Sequence, residues 1–235
     1  MTASNFSTFD QTMKAAAIVV AAGSSTRMGF DKLTAPLAGK PLLVWSLQSV
    51  QDCVEISSAV LVCAPQRIEE FTAIALAFPK ISQVVAGGAA RSDSVLNGLL
   101  ALSENPPELV AVHDAARPLA TAALFTQILA SAEKLGAASA AHPVADSLHR
   151  SGPDGLLHET LPRQNLFAME TPQAARFGDL LSAIRQHGLG ATDEVGALIA
   201  AGIYPSPVLH GIPNFKITHP ADLPVAEEIL KARTS

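Results

Sequence analysis

The feature that most constrains this chain is its rhythm. Short apolar runs rich in β-branched residues alternate with longer stretches whose apolar residues recur at helical spacing. That alternation is the mark of βαβ units feeding a largely parallel sheet. The runs AAAIVVAA (15–22), SSAVLVCA (57–64), SQVVAG (82–87), ELVAVHDA (108–115) and AASAAHPV (137–144) read as strands. Pro41 opens a predicted helix, PLLVWSLQSVQ, since proline suits a first helical position. LFTQILASAEKLG (124–136) reads as an amphipathic helix ended by its glycine. The rhythm breaks at ADSLHRSGPDGLLHETLPRQ (145–164), where SGPDG signals a turn between two strand-like pieces. Helices are expected again near Phe177–Gln186 and Asp193–Ala201, strands at Ile203–Leu209 and Phe215–Thr218, and a last helix from about Ala221.

These elements predict an α/β chain: a Rossmann-like, mostly parallel twisted sheet flanked by helices, with a β-hairpin arm projecting at about 143–165. A chain of 235 residues suits one such domain, here 13–235, after a tail (1–12) expected to be disordered. Bulk properties exclude several function classes. A net charge of −5 argues against a nucleic-acid binder, which carries a basic stripe. No window reaches the ~20 apolar residues that span a bilayer, and the first dozen residues lack the make-up of a signal peptide, so a cytoplasmic protein is expected. Cys53 and Cys63 show no metal spacing and read as core thiols. Charged residues are only 16% of the chain, which hints at surface buried in an oligomer.

The chemistry begins with VVAAGSSTRMGFDK (19–32), directly after the first strand. Loops at the carboxyl ends of parallel strands are where open α/β sheets take ligands. Ala21, Ala22 and Gly23 are small enough for their amides to approach phosphate oxygens, and Arg27 and Lys32 add fixed positive charge. Neither the Walker pattern nor G-x-G-x-x-G is present. An ordinary βα turn with two solvated cations would also fit this stretch. A second motif, VHDAARP (112–118), puts Asp114 at a strand tip, as a candidate ligand for Mg²⁺ or as a helix N-cap. A third, GGAARSDSV (87–95), opens a helix after two glycines, either by ordinary capping or to let a flat base approach. A fourth, NFKIT (214–218), carries Lys216, functional or solvated.

Together, in this order, the four stretches resemble the sugar-nucleotide-type nucleotidyltransferases. With PVADS (143–147), TPQ (171–173) and TDE (192–194), the chain more closely resembles the 2-C-methyl-D-erythritol 4-phosphate cytidylyltransferase family, from about Lys14 to Ala232. The resemblance implies transfer of CMP from CTP to a sugar-alcohol phosphate, with Mg²⁺ or another divalent cation. It matches Arg27, Lys32 and Lys216 to catalytic cations, and Ala21, Ala22, Gly23, Gly88 and Ser94 to nucleotide-binding positions. It matches Asp114, Arg117, Ser147, Arg163 and Thr171 to substrate-binding positions, Asp114 also lying near the metal. It implies a homodimer in which the arm carries Ser147 and Arg163 toward the partner's site. The chain departs from the family pattern at Val20, Ala89 and the shortened FDKL stretch. The alternatives are a ribitol-5-phosphate cytidylyltransferase, a purine or uridine nucleotidyltransferase, and a catalytically silent nucleotide-binding regulatory domain.

Overall fold

The computed structural model describes residues 15–23 and 28–234. The predicted tail, 1–12, lies outside the described residues, as does Arg27. Strand β1 (Ala15–Ala21) is almost wholly buried. A small ribbon, β2 (Pro36–Leu37) with β3 (Lys40–Pro41), closes the loop that follows and leads into α1 (Leu42–Asp52). Pro41 is the N-cap of this helix, one residue outside the predicted start. The alternation continues through β4 (Ile56–Cys63), α2 (Ile68–Ala75), β5 (Ile81–Ala86), α3 (Arg91–Ala101), β6 (Leu109–Asp114), α4 (Ala122–Leu135) and β7 (Ala137–Pro143). The arm is a separate antiparallel pair, β8 (Leu148–Ser151) with β9 (Leu157–Leu161). Then come β10 (Phe167–Arg176), α5 (Phe177–His187), α6 (Glu194–Ala200), β11 (Ser206–Leu209) and α7 (Asp222–Thr234).

Seven strands form one sheet in the order β11-β7-β10-β6-β1-β4-β5. The pairs β1–β4, β1–β6, β4–β5 and β7–β11 are parallel, while β10 runs antiparallel to both of its neighbours. The arm explains that reversal. The chain leaves the sheet at the end of β7, traverses the arm and returns beside β7 as β10, so the arm caps an extended hairpin. Side chains alternate across the sheet as the pleat demands. Ala15, Ala17 and Val19 face a core shared with α1, α2, α4 and α7. Ala16 and Ile18 face a second core shared with α3, α5 and α6. Among the described residues no helix is long and apolar enough to cross a membrane.

Two predicted strands need correction. Of Ile203–Leu209 only Ser206–Leu209 pairs, at the sheet edge, where Pro205 and Pro207 lack the N–H groups a longer ladder would use. Phe215–Thr218 is not a strand at all. Its apolar alternation arises because Ile217 plugs the core. The Ile217 amide donates to the Ala116 carbonyl at 2.8 Å, while the Lys216 side chain reaches Asp114 at the end of β6.

One close approach has a measurable cost. Gly98 lies inside α3, where a Cβ would stand 2.6 Å from Ile18 Cγ2 and 3.1 Å from Val62 Cγ2. Alanine gains roughly 1 kcal/mol over glycine in a free helix. Overpacking a filled core typically costs about 1–3 kcal/mol. Gly98→Ala is therefore expected to lower the unfolding free energy by about 1 kcal/mol in urea titration, and a stabilised variant would disprove this packing account.

Candidate functional site

Strands β1, β5 and β6 end at the same edge of the sheet. From β1 the chain proceeds to β4 and β5 on one side, then returns to β6 on the other. A crevice opens outside the strand tips at such a reversal. Here it is a cleft of about 350 Å³ lined by Ala21, Ala22, Gly23, Lys32, Gly88, Ala89, Arg91, Ser94, Asp114 and Lys216. A smaller hollow of about 190 Å³ shares Arg91, Asp114 and Lys216 with it and adds Arg117, Thr171, Gln173 and Asp193. Four separate sequence motifs thus meet at one place.

Asp114 is the centre of the charge arrangement. Its side chain is 9% exposed. Oδ1 accepts from Arg91 Nε at 3.1 Å, and Oδ2 accepts from Lys216 Nζ at 2.7 Å. Burial alone would raise the pKa of this carboxyl, but Arg91, Lys216 and Arg117 hold it well below the usual carboxylate range. Arg91 also reaches Glu194 with a two-pronged contact, Nη1 to Oε1 at 2.6 Å and Nη2 to Oε2 at 3.0 Å. Burial pushes the Glu194 carboxyl up, and Arg91 opposes that shift. The helix N-cap reading of Asp114 fails, because Thr121 caps α4 by accepting from the Leu124 amide.

Thr171 does not turn its hydroxyl to the cleft. Its Oγ1 accepts from the Asp114 amide at 3.0 Å and lies 3.1 Å from His113 Nδ1. The hydroxyl proton therefore points to Nδ1, and His113 Nε2, 3.3 Å from the Arg117 carbonyl, is the nitrogen that donates. Burial pushes the pKa of His113 down to about 4, in keeping with a neutral ring. This chain of bonds fixes the turn from Asp114 to Arg117. Arg117 Nη1 donates to the Asn214 carbonyl at 2.8 Å, and its buried Nε has no protein partner among the described residues.

The turn at Gly87–Ala90 is shaped from within. Ser94 Oγ accepts from the Gly88 amide at 3.1 Å and lies 3.2 Å from the Ala90 carbonyl, while Asp93 Oδ2 accepts from the Ala90 amide at 2.9 Å. A Cβ on Gly88 would fall 2.2 Å from Asp93 Cβ, so only glycine lets the backbone lie this close to α3. Lys32 Nζ donates to the Ile217 carbonyl at 2.8 Å, tying the first loop to the last.

The remaining expected residues stand elsewhere. Ser147 and Arg163 are exposed on or beside the arm, and Arg163 Nη1 turns onto the Ala145 carbonyl. Neither lines the cleft of its own chain. Arg91 and Glu194 were quoted within motifs but given no role. Arg91 hid behind the capping residues beside it, and Glu194 only acquires meaning once Arg91 reaches it across the fold. His142 and His210 flank a buried carboxylate, Glu170.

Comparison with known proteins agrees with this geometry. The sequence model of the 2-C-methyl-D-erythritol 4-phosphate cytidylyltransferase family matches residues 15–232. The protein of that name from Pelotomaculum thermopropionicum is 38% identical over 228 residues, covering 94% of this chain and 95% of the relative. The crystal structure of 4-diphosphocytidyl-2C-methyl-D-erythritol synthase from Anaerococcus prevotii superimposes with a TM-score of 0.81 at 25% identity, covering 94% of this chain and 97% of that one. That of the 2-C-methyl-D-erythritol 4-phosphate cytidylyltransferase from Thermus thermophilus gives a TM-score of 0.74 at 29% identity, covering 93% and 100%.

The buried neutral imidazole carries a pH signature. Its folded pKa, about 4, lies below the unfolded value of 6.5, so the unfolded chain takes up this proton first. The stability it contributes is full above pH 6.5 and is lost as pH falls toward 4. At about 1.4 kcal/mol per pH unit this amounts to roughly 3 kcal/mol. Chemical denaturation of the metal-free protein from pH 7 to 4 is expected to show that loss in the wild type and to show it largely removed in His113→Asn.

Proposed function

The chain belongs to the 2-C-methyl-D-erythritol 4-phosphate cytidylyltransferase family, and from that premise we infer that it transfers CMP from CTP to 2-C-methyl-D-erythritol 4-phosphate, releasing pyrophosphate, in non-mevalonate isoprenoid precursor synthesis. The observation that supports it most is the meeting of Lys32, Arg91, Asp114 and Lys216 around one cleft at the sheet's switch point. The nucleotide would lie against the small-residue backbone of Ala21–Gly23 and the Gly88 turn. The acceptor would occupy the adjoining hollow, where the unpartnered Nε of Arg117 suits a phosphate.

The chemistry asks no nucleophile of the protein. An acceptor phosphate monoester has its second pKa near 6, so it is largely dianionic at neutral pH and needs no general base. One of its oxygens attacks the α-phosphorus of CTP in line. A bond forms from that oxygen to phosphorus, and the bond to the β-phosphate oxygen breaks, its electron pair leaving with pyrophosphate. Lys32, Lys216 and, by family resemblance, Arg27 stabilise the charge that builds on the phosphoryl oxygens. Their positions are fixed before substrate arrives, since Lys32 and Lys216 are already tethered to Ile217 and Asp114.

The donor set fits a divalent cation delivered with the nucleotide. Among the described residues no three His, Cys, Asp or Glu side chains converge on a metal position. Mg²⁺ commonly uses one or two carboxylates plus phosphate oxygens, and Asp114 would offer one carboxylate beside the cleft once Lys216 turned from Oδ2 to the incoming phosphates. When bound, such an ion would screen the charge of the triphosphate. The assembly we propose is a homodimer in which each arm carries Ser147 and Arg163 to the partner's acceptor hollow. Neither side chain lines its own chain's cleft, and Leu156 and Leu157 of the arm are 66% and 71% exposed, an apolar tip suited to a partner.

Pyrophosphate release with CTP, Mg²⁺ and each of 2-C-methyl-D-erythritol 4-phosphate and ribitol 5-phosphate tests the reading directly. Turnover is expected with the first acceptor. Release with ribitol phosphate alone would keep the mechanism and change the substrate, and release with neither would sink the enzyme reading. Lys32→Ala is expected to cut turnover by about 10²–10³, and near-full activity would refute the electrostatic mechanism. If the arms serve across a two-fold axis, mixing inactive Lys32→Ala with inactive Arg163→Ala chains should restore activity through hybrid dimers. No recovery after subunit exchange would refute the service of Arg163 across the two-fold axis.

A further inference from the structure

Glu170 is a buried carboxylate that the chemistry above leaves unused. It stands on β10 one residue before Thr171, its side chain 7% exposed. Oε2 accepts from Asn214 Nδ2 at 2.7 Å and lies 3.0 Å from His210 Nε2. Oε1 lies 3.2 Å from His142 Nδ1 and 3.8 Å from Arg117 Nη1. Glu170 lines the same small hollow as Arg117 and Thr171, but both of its carboxylate oxygens face protein donors.

What it holds is the stretch that delivers Lys216. Residues 210–218 belong to no helix or strand, so no ladder sets their path. Side-chain anchors set it instead. Asn214 Nδ2 donates both to Glu170 and to the Thr171 carbonyl, the latter at 2.9 Å. The Asn214 carbonyl accepts from Arg117 Nη1 at 2.8 Å. Two residues on, Lys216 reaches Asp114. His210, 6% exposed, is held at the other end of the stretch by the same carboxylate. One acidic side chain therefore gathers two anchors of the loop and faces the arginine that the loop supports. An unpaired donor left in that buried place would cost on the order of 1–3 kcal/mol, enough to make the loop take another path.

We propose that Glu170 is a positioning residue for the transfer reaction, aligning Lys216 and Arg117 through Asn214 and His210. The inference rests on the transferase reading, because the two cations matter to turnover only if phosphates occupy the cleft. The nucleoside side of the cleft, built by Ala21–Gly23 and the Gly88 turn, lies outside the Glu170 contacts.

The test compares Glu170→Leu, which keeps bulk and removes both acceptors, with Glu170→Gln, which keeps one. Glu170→Leu is expected to lower kcat roughly 10²-fold, the scale of an ångström's misplacement, and to raise the acceptor KM while the KM for CTP stays within about threefold. Glu170→Gln should recover most of the loss. A second readout needs no turnover: limited acetylation with acetic anhydride, followed by peptide mass spectrometry. Lys216, paired with Asp114 in the wild type, should label several-fold faster in Glu170→Leu, with exposed Lys134 unchanged. Wild-type kcat in Glu170→Leu, or lost turnover with unaltered Lys216 labelling, would overturn the proposal. Faster Lys216 labelling in a protein whose wild type shows no transfer would uphold the positioning and sink the transferase reading instead. If Glu170→Leu does not fold, Glu170→Gln decides. A loss of about fivefold with faster Lys216 labelling supports the role, and wild-type values for both oppose it.

Discussion

A carboxylate buried at the tip of a parallel strand is costly unless something pays for its charge, and around Asp114 the rest of the site is arranged to do so. Arg91 comes from the start of α3 and Lys216 from the loop before α7, so the two cations arrive from opposite parts of the chain. Arg91 then binds Glu194 at the start of α6, which ties a third element to the same point. The side chains lining the cleft set three cations, Lys32, Arg91 and Lys216, against the single carboxylate of Asp114. A triphosphate entering the cleft would compete with Asp114 for Lys216, so the protein's own carboxylate holds the place of the incoming anion. Preorganisation of this kind lets fixed charges act on the transition state with little rearrangement.

Much of the fold was legible because the alternation of apolar runs and helical stretches is a physical requirement of a sheet covered on both faces. Four strands near the amino end were found within a residue or two of their observed limits. What escaped was structure set by distant partners. Phe215–Thr218 has the alternation of a strand, yet that pattern records Phe215 and Ile217 packing on the core with Lys216 between them facing the cleft. No local window distinguishes the two cases. The antiparallel course of β10 was also hidden, since TPQ was read as a motif and not as part of a ten-residue strand.

The site was legible in a similar measure. Small residues, strand-end acids and isolated lysines mark a phosphate crevice because the chemistry limits what can stand there. The sequence could not tell which hydroxyls and carboxylates serve the ligand and which serve the protein. Thr171 and Ser94 were matched to ligand positions, yet their hydroxyls are bonded within the protein. Those bonds fix the backbone that shapes the crevice, which both residues also line. Glu170 offered no local signal at all, because its partners lie on β7, in the turn after β6 and in the loop after β11.

The unladdered course of residues 210–218 gives the molecule two thresholds where a more regular fold would have one. Ladders and packed helices open only with the whole domain, whereas a loop held by a few side-chain bonds opens at a small fraction of that free energy. Lys216 rides on such a loop. Mild warming or a little denaturant can therefore draw Ile217 from its core and disperse the reactive constellation while the sheet stays paired. Such a population keeps its strands, is idle as a catalyst, and returns to work without refolding the sheet.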